Sequence, residues 1–544
     1  MVIVTLFIMQ LYSTVLHAQL CIDGRVATFD TLTHTMLATI PKTYFGQDMQ
    51  LFVSATGQWT LLSIEVPQTN TNTYLFENID ASSHYPFTAL TSGGQIVNGQ
   101  ILFTHLPIIR LEGNFGYGYN SGSFLLSDPD KPATDTLSAR IKWRGGTTNA
   151  ADKHKRNYKV KFDKDHTFFG LRNDNNWILD AGQADLFRLR NRIATELWND
   201  FATKPYYSQQ EPQARSGVRG QVVELFLNNE YRGIYSFTEC MDRKQMKLCK
   251  ADTTSNDIHG LLWKSVAYGY STMWDNPVEP YDNTSDVWNA FETKYPELDD
   301  VDTLDWAPLK NAIEIVANAK SHNHLQDIRQ YFDIPVIRDY HLFVELLNAV
   351  DNCGKNTYFA IYDKKKSHII TLAVWDLDIT TGSIMLNLYN PKYVTPLHNI
   401  ISYNKLDYLL LCDSEYSESL ANRYAELRNS YFSVESLCQR YTHYYNLLSN
   451  SGAAAREEQR WSGDNDVNGY EINFSEEIEY ICDWLKQRIN FLDHKYSYTN
   501  NIRNALTKPS EKRIYNLQGQ QINRNSQLKP GIYIQNGRKV VARR

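Results

Sequence analysis

The stretch 336–382 constrains this chain most, because three kinds of local order follow one another in it without a break. Val336, Tyr340, Phe343, Val344, Leu347 and Val350 recur at steps of three and four, the signature of a helix with one buried face. A short polar loop then opens with Asp351 and reaches Asn356 five residues later. Residues 357–363 and 368–374 predict two strands around the polar turn 364–367, and Trp375, Asp376, Leu377 and Asp378 follow at once. A carboxylate, an amide oxygen and a second carboxylate at the ends of ordered elements can hold a divalent cation and orient a nucleophile. Phosphoryl transfer asks the same of a protein. On the pattern alone, a surface hairpin with acidic ends is the favoured reading.

A basic counterpart lies upstream. Residues 140–143 predict a strand, 144–149 a flexible polar turn, and 157–162 a second strand. In that second strand Tyr158, Val160 and Phe162 share one face and Lys159 and Lys161 the other. Backbone amides and hydroxyls of Gly145, Gly146, Thr147 and Thr148 beside aligned lysines suit a polyphosphate. A solvated basic hairpin is the alternative. Gly113, Gly116 and Gly118 are interleaved with Phe115, Tyr117 and Tyr119 and precede no helix, so no nucleotide fingerprint is present there.

At 544 residues the chain exceeds a single core, and two to four domains are expected. A mostly apolar run over 1–18 ends in Leu16, His17 and Ala18 and predicts a signal peptide, hence export. Residues 19–105 alternate short β-rich runs with polar turns and predict a small β-sandwich. From 106 to 496 β-rich segments precede helices, the order expected of an α+β, two-lobed domain with its site in the cleft. Its helices are expected at 186–201 (capped by Asp185), 309–319, 336–350, 420–427, 434–448 and 475–493, and 251–307 shows few clear elements. A polar linker at 497–510 leads to a β-hairpin tail at 511–544, turned by Asn536-Gly537. A net charge of −6 and the lack of a basic stripe argue against nucleic acid. The seven cysteines lack C-x-x-C spacing, so they support no zinc site; Cys240 and Cys249 are near enough in sequence to bridge.

Several segments in order resemble the CotH (spore coat protein H) kinase family. They are Arg144 to Thr148, Lys155 to Phe162, Trp177 to Leu179, Asp185 with Leu189, Arg190 and Asn191, Leu227 to Glu239, Asp351 with Lys355 and Asn356, and Val374 to Asp378. The resemblance spans roughly 106–495. It departs from the family pattern at Thr147 and Thr148, which replace serines, and at His154, where proline is common.

The resemblance implies an atypical two-lobed protein-kinase-like fold that transfers the γ-phosphoryl group of ATP to protein Ser/Thr, using Mg²⁺ or Mn²⁺. In that reading Asp351 is the catalytic carboxylate, and Asn356 and Asp376 hold the metal. Asp378 joins them or caps the next turn. Arg144 belongs to the turn over the nucleotide. Lys155, Lys159 and Lys161 are the candidates for phosphate contact, with Lys159 preferred, and Glu239 falls at the hinge between lobes. The chain is then expected in the periplasm, at the cell surface or secreted, with a protein substrate and possible cell-surface or host components as partners, and with no transmembrane helix once mature. The tail is similar to β-units that sort exported proteins to the surface. The competing reading is a non-catalytic surface-binding protein, a pseudokinase on the same fold.

Overall fold

Apolar residues at alternate positions drive seven consecutive strands into a closed barrel in the computed structural model of the protein. The structure describes residues 19–56, 59–131, 136–276, 278–319, 325–383, 395–397, 400 and 404–498, together with four short strands beyond them. Around the barrel the strands run Ile108–Glu112, Asn120–Ser127, Leu137–Arg144, Asn157–His166, Asp174–Asp180, Glu230–Thr238 and Gly220–Leu227, and the last closes in parallel on the first. Ile141, Val160, Trp177, Leu179, Val223 and Phe237 fill the interior, fully buried. Each such side chain contributes about 1.5–3 kcal/mol. Tyr158, Val160 and Phe162 share that core and Lys159 and Lys161 do not, as the alternation predicts.

Strand pairing sets Arg140 opposite Lys161 and Lys142 opposite Lys159, with Arg144 one step further on, opposite Asn157. Like charges directly opposite one another destabilise a sheet. The apolar inner face therefore holds a strip of five cations in a register that electrostatics alone would reject.

A second, antiparallel sheet has the order Val287–Trp288, Phe291–Tyr295, Leu261–Ser265, Thr357–Ile361 and Thr371–Val374. Three of its strands come from the stretch expected to show few elements. Leu261, Leu262 and Trp263 are all buried, so this strand carries a continuous apolar run in place of the alternation that reveals a half-exposed one.

The helix of the opening stretch runs Ile334–Leu347 and is buried nearly all round, not along one face. Its polar residues are matched accordingly. Asp339 accepts from Thr203 and Arg423, His341 lies between Asp407 and Tyr416, and Glu345 meets Arg488. Asn348, at φ 51°, ends the helix in the left-handed conformation that Asn tolerates. The helix expected from 186 starts only at Arg190, because Arg188 sits at φ 64° and breaks the helical path. Asp185 still caps it from upstream, accepting the Arg190 N–H at 2.8 Å and its guanidinium at 2.6 Å. Helices Ala307–Asn318, Leu325–Tyr331, Lys405–Leu411, Ser414–Arg428, Val434–Asn450, Ala453–Trp461 and Phe474–Lys495 complete an α+β architecture.

Nine strands between Gln19 and Thr104 make a single sheet that curls on itself. Phe76 of Thr73–Phe76 packs 5.2 Å from Phe103 of Ile96–Thr104, although the two strands are far apart in sheet order. The chain forms two compact units, Met1–Ile489 and Asn490–Arg544. In the second, Gln521–Ile522, Ile514–Tyr515, Gly531–Gln535 and Arg538–Ala542 form one antiparallel sheet. The expected signal peptide at 1–18 and the turn at 536–537 lie outside the described residues. All seven cysteines are free, including Cys240 and Cys249. Among the described residues no helix is long and apolar enough to cross a membrane.

Candidate active site

Past the left-handed cap at Asn348, a turn of 3-10 helix at Val350–Asn352 presents Asp351. Its carboxylate is held from both sides: Lys355 Nζ lies 2.9 Å from Oδ1, and Asn356 Nδ2 donates to Oδ2 at 2.8 Å. The five-residue step from Asp351 to Asn356 thus becomes a direct contact. Asn356 sits at φ 58°, and its backbone N–H donates to Ser265 on the neighbouring strand. Burial raises the Asp351 carboxyl above its ordinary value. The Lys355 ammonium works against that rise and the nearby Asp376 charge adds to it.

Two side-chain amides bind this loop to the acids beyond the hairpin. Asn352 Nδ2 donates to Trp375 O at 2.8 Å, which fixes the start of the Trp375–Asp378 turn. Asn191, on the first turn of Arg190–Phe201, donates to Asp180 Oδ2 at 2.7 Å and accepts the Leu377 N–H at 3.0 Å. Asp376 takes φ 58°, a conformation a non-glycine residue holds only when its surroundings impose it. Burial is the main cause of a raised Asp180 carboxyl, with Asp376 adding to it. Asp378 is raised well above the usual carboxylate range by burial first, then by Asp376, Asp180, Asp185 and Asp351.

That crowding of acids has a measurable sign. A carboxyl whose folded value is raised contributes fully to stability only below its unfolded value of about 3.9, and the contribution is lost as pH rises through the folded value. At neutral pH the Asp378 charge therefore works against the fold unless a cation is present. Asp378→Asn should raise the melting temperature of the metal-free protein at pH 7 and cancel any rise that added Mg²⁺ gives the wild type. Calorimetric scans with and without the ion check both.

The basic strip faces the second sheet across a cleft of about 680 Å³. Lys142, Arg144, Lys159 and Lys161 line it from the barrel, and Lys294, Tyr358 and Trp375 line it from the other side. Its volume lies in the ordinary range of small-ligand sites. Arg144 spans the two charge fields: its guanidinium lies 5.3 Å from the Trp375 ring centre, and it borders a small recess shared with Asp180, Asn191 and Asp376. Lys264, on Leu261–Ser265, has its ammonium lowered by burial and supported by the charge of Asp376.

The structure therefore brings Arg144, Lys159 and Lys161 to one cleft, and brings Asp351, Asn356, Asp376 and Asp378 into one electrostatic cluster. Alternation along the strand does not choose between Lys159 and Lys161, since both reach the cleft. Two other candidates are elsewhere. Lys155 is 1% exposed, and its Nζ donates to Glu457 at 2.7 Å and Ile234 O at 2.8 Å. Glu239 accepts from Arg219, the Arg172 N–H and Gln245, which occupies both its oxygens, and the cleft wall is made by the following residues Cys240, Met241 and Asp242. Asp180 and Lys264 are not among the residues expected from the sequence. Asp180 carried a usable signal, an acid directly after the apolar strand end Trp177-Ile178-Leu179, as Asp376 follows Val374-Trp375.

Fold and site together define an α+β protein whose barrel lines a cleft with a row of cations, beside a small recess where Arg144 meets Asp180 and Asp376. A model of the CotH kinase protein family matches residues 141–492, which contain every candidate site residue, and the chain belongs to that family. No curated protein matches the chain.

Proposed function

We propose that this chain is an exported, two-lobed, kinase-like enzyme that transfers the γ-phosphoryl group of ATP to serine or threonine of a protein. The observation that carries the reading is the cleft lined by Lys142, Arg144, Lys159 and Lys161, which Arg144 and Trp375 share with an adjoining recess that holds Asp180 and Asp376. The barrel is the nucleotide-covering lobe and the helical part with the second sheet is the catalytic lobe. The N-terminal sheet (19–105) and the tail (511–544) act as display or attachment parts around the kinase-like domain (106–496).

The donor set fits a divalent ion. Asp376 and Asp180 add to burial in raising the Asp378 carboxyl, and Asn356 joins the group through its hydrogen bond to Asp351. Hard oxygen donors of this kind suit Mg²⁺ or Mn²⁺. Bound there, the ion supplies neutralising charge for the β- and γ-phosphates. The chain's own residues do the rest. Arg144, Lys159 and Lys161 attract and orient the phosphates, the latter two as point charges and Arg144 through its planar fork. Asp351, steered by Lys355 and Asn356, takes the hydroxyl proton of the acceptor as its oxygen bonds to the γ-phosphorus and ADP leaves with the bridging oxygen.

Mg-ATP should stabilise the protein by RT ln(1 + [L]/Kd), about 2.7 kcal/mol at one hundred times Kd. A thermal shift with Mg-ATP, paired with transfer of labelled γ-phosphate to a serine-rich protein, tests the proposal. Shift and transfer together support it. A shift without transfer makes the chain a nucleotide-binding pseudokinase, and no shift at millimolar nucleotide leaves a surface-binding protein on a kinase-like fold.

A further inference from the structure

A second group of metal-ligating side chains lies away from the cleft, where residue 154 of the barrel hairpin meets the loop after helix Ala453–Trp461. His154, Asp464 and Asp466 each place a ligand atom within 4.8 Å of the others. His154 Nδ1 is 2.9 Å from Asp464 Oδ2. Asp464 Oδ1 accepts the Asp466 N–H at 2.8 Å, while Asp466 Oδ2 accepts the N–H groups of His154 and Lys155 at 2.9 and 2.7 Å. These bonds aim both carboxylates before any ligand arrives.

They also leave one atom over. Asp466 is only 2% exposed, and its Oδ1 has no hydrogen-bond partner among the described residues. Leaving such a group bare costs on the order of 1–3 kcal/mol, more when it is charged. Three neighbouring cations make their hydrogen bonds to other groups. Lys155 Nζ is on Glu457, Arg232 donates to the His154 carbonyl, and Arg460 donates to Tyr231 O at 3.3 Å and lies over the Trp461 ring. Asp466, with this buried and unpartnered oxygen, the His154 imidazole and the Asp464 carboxylate each bring one ligand atom within 4.8 Å of the others, a three-donor N,O,O set.

We propose that His154, Asp464 and Asp466 form a second cation site, selective for a divalent first-row transition metal over Mg²⁺. The imidazole nitrogen supplies the selectivity, since Mg²⁺ prefers an all-oxygen shell. The ion ties the 154–155 end of the barrel hairpin to a loop some 310 residues later in the chain. None of the three residues lines the cleft, so the site acts as a structural pin.

The test uses Mn²⁺ alone, without nucleotide, on the full chain carrying Asp376→Ala, freed of metal with chelator. Free Mn²⁺ is followed by electron paramagnetic resonance and unfolding by calorimetry. One tightly bound Mn²⁺ and a raised melting temperature are expected, with little competition from equal Mg²⁺. Adding His154→Ala or Asp464→Asn should weaken binding by at least about 10–100-fold, the loss typical of even an outer-shell partner. Asp466 is left intact because it also holds two backbone N–H groups. Absence of a bound Mn²⁺ overturns the proposal, and so does binding that is unchanged in both added variants. Because Asp376→Ala is present throughout, the outcome is independent of whether the cleft turns over ATP.

Discussion

Asp351→Asn is expected to lower phosphate transfer by about 10²–10⁴-fold, the usual contribution of a positioned general base, and Asp376→Ala to abolish it, with both proteins still folded. The asparagine keeps the shape and the Asn356 contact of Asp351 but cannot accept a proton. Its KM for Mg-ATP should therefore stay near the wild-type value while kcat falls. Asp376→Ala acts differently, removing a donor for the ion and so raising KM as well. Initial rates of labelled transfer at varied Mg-ATP separate the two. The wild-type profile should also carry an acid limb displaced upward from the usual carboxylate range, because burial raises the Asp351 carboxyl and only its charged form is the base. Activity then falls as pH drops through that raised value. Asp351→Asn should lack the limb.

The largest stability loss is expected at Glu457, far from Asp351 in sequence and outside the cleft. Its fully buried carboxylate takes Lys155 Nζ at 2.7 Å, Arg188 Nε at 2.6 Å and the Ile234 N–H at 2.7 Å. Burial pushes the Lys155 ammonium down to about 7 even with Glu457 beside it, so the group is costly to keep charged. Glu457→Ala strands two buried cations and a backbone donor, and breaking a buried pair in this way costs about 3–5 kcal/mol. Chemical denaturation should show that loss as a lower midpoint. Replacing the pair together, Glu457→Leu with Lys155→Met, should recover much of it, because Arg188 keeps the carbonyls of Gly182, Gln183 and Asp185. A Glu457→Ala protein as stable as wild type would remove the hub from the account.

What could be seen in the sequence was local. Tyr158, Val160 and Phe162 alternate with Lys159 and Lys161, and that alternation alone separates core from cleft. The five-residue step from Asp351 to Asn356 needed only one tight loop to become a hydrogen bond. Residues whose role depends on a distant partner gave no such sign. Asn191 is one polar residue at a helix start, and only the folded chain places it between Asp180 and Leu377. Lys155 stands just before the strand that carries Lys159 and reads as part of the same basic run, yet a glutamate 302 residues away draws it into the interior. Lys264 was hidden because its strand is buried on both faces and so lacks a period of two. The helix at Ala453–Trp461, which carries Glu457, is only nine residues long and offers three alanines and one tryptophan as its apolar positions.

The most direct test of the central claim is a structure of the full chain with Mn²⁺ and a non-hydrolysable ATP analogue. The triphosphate is expected against Arg144 and Lys159 or Lys161, with the Mn²⁺ anomalous peak among Asn356, Asp376 and Asp378. Nucleotide bound elsewhere, or no metal at those carboxylates, would contradict it.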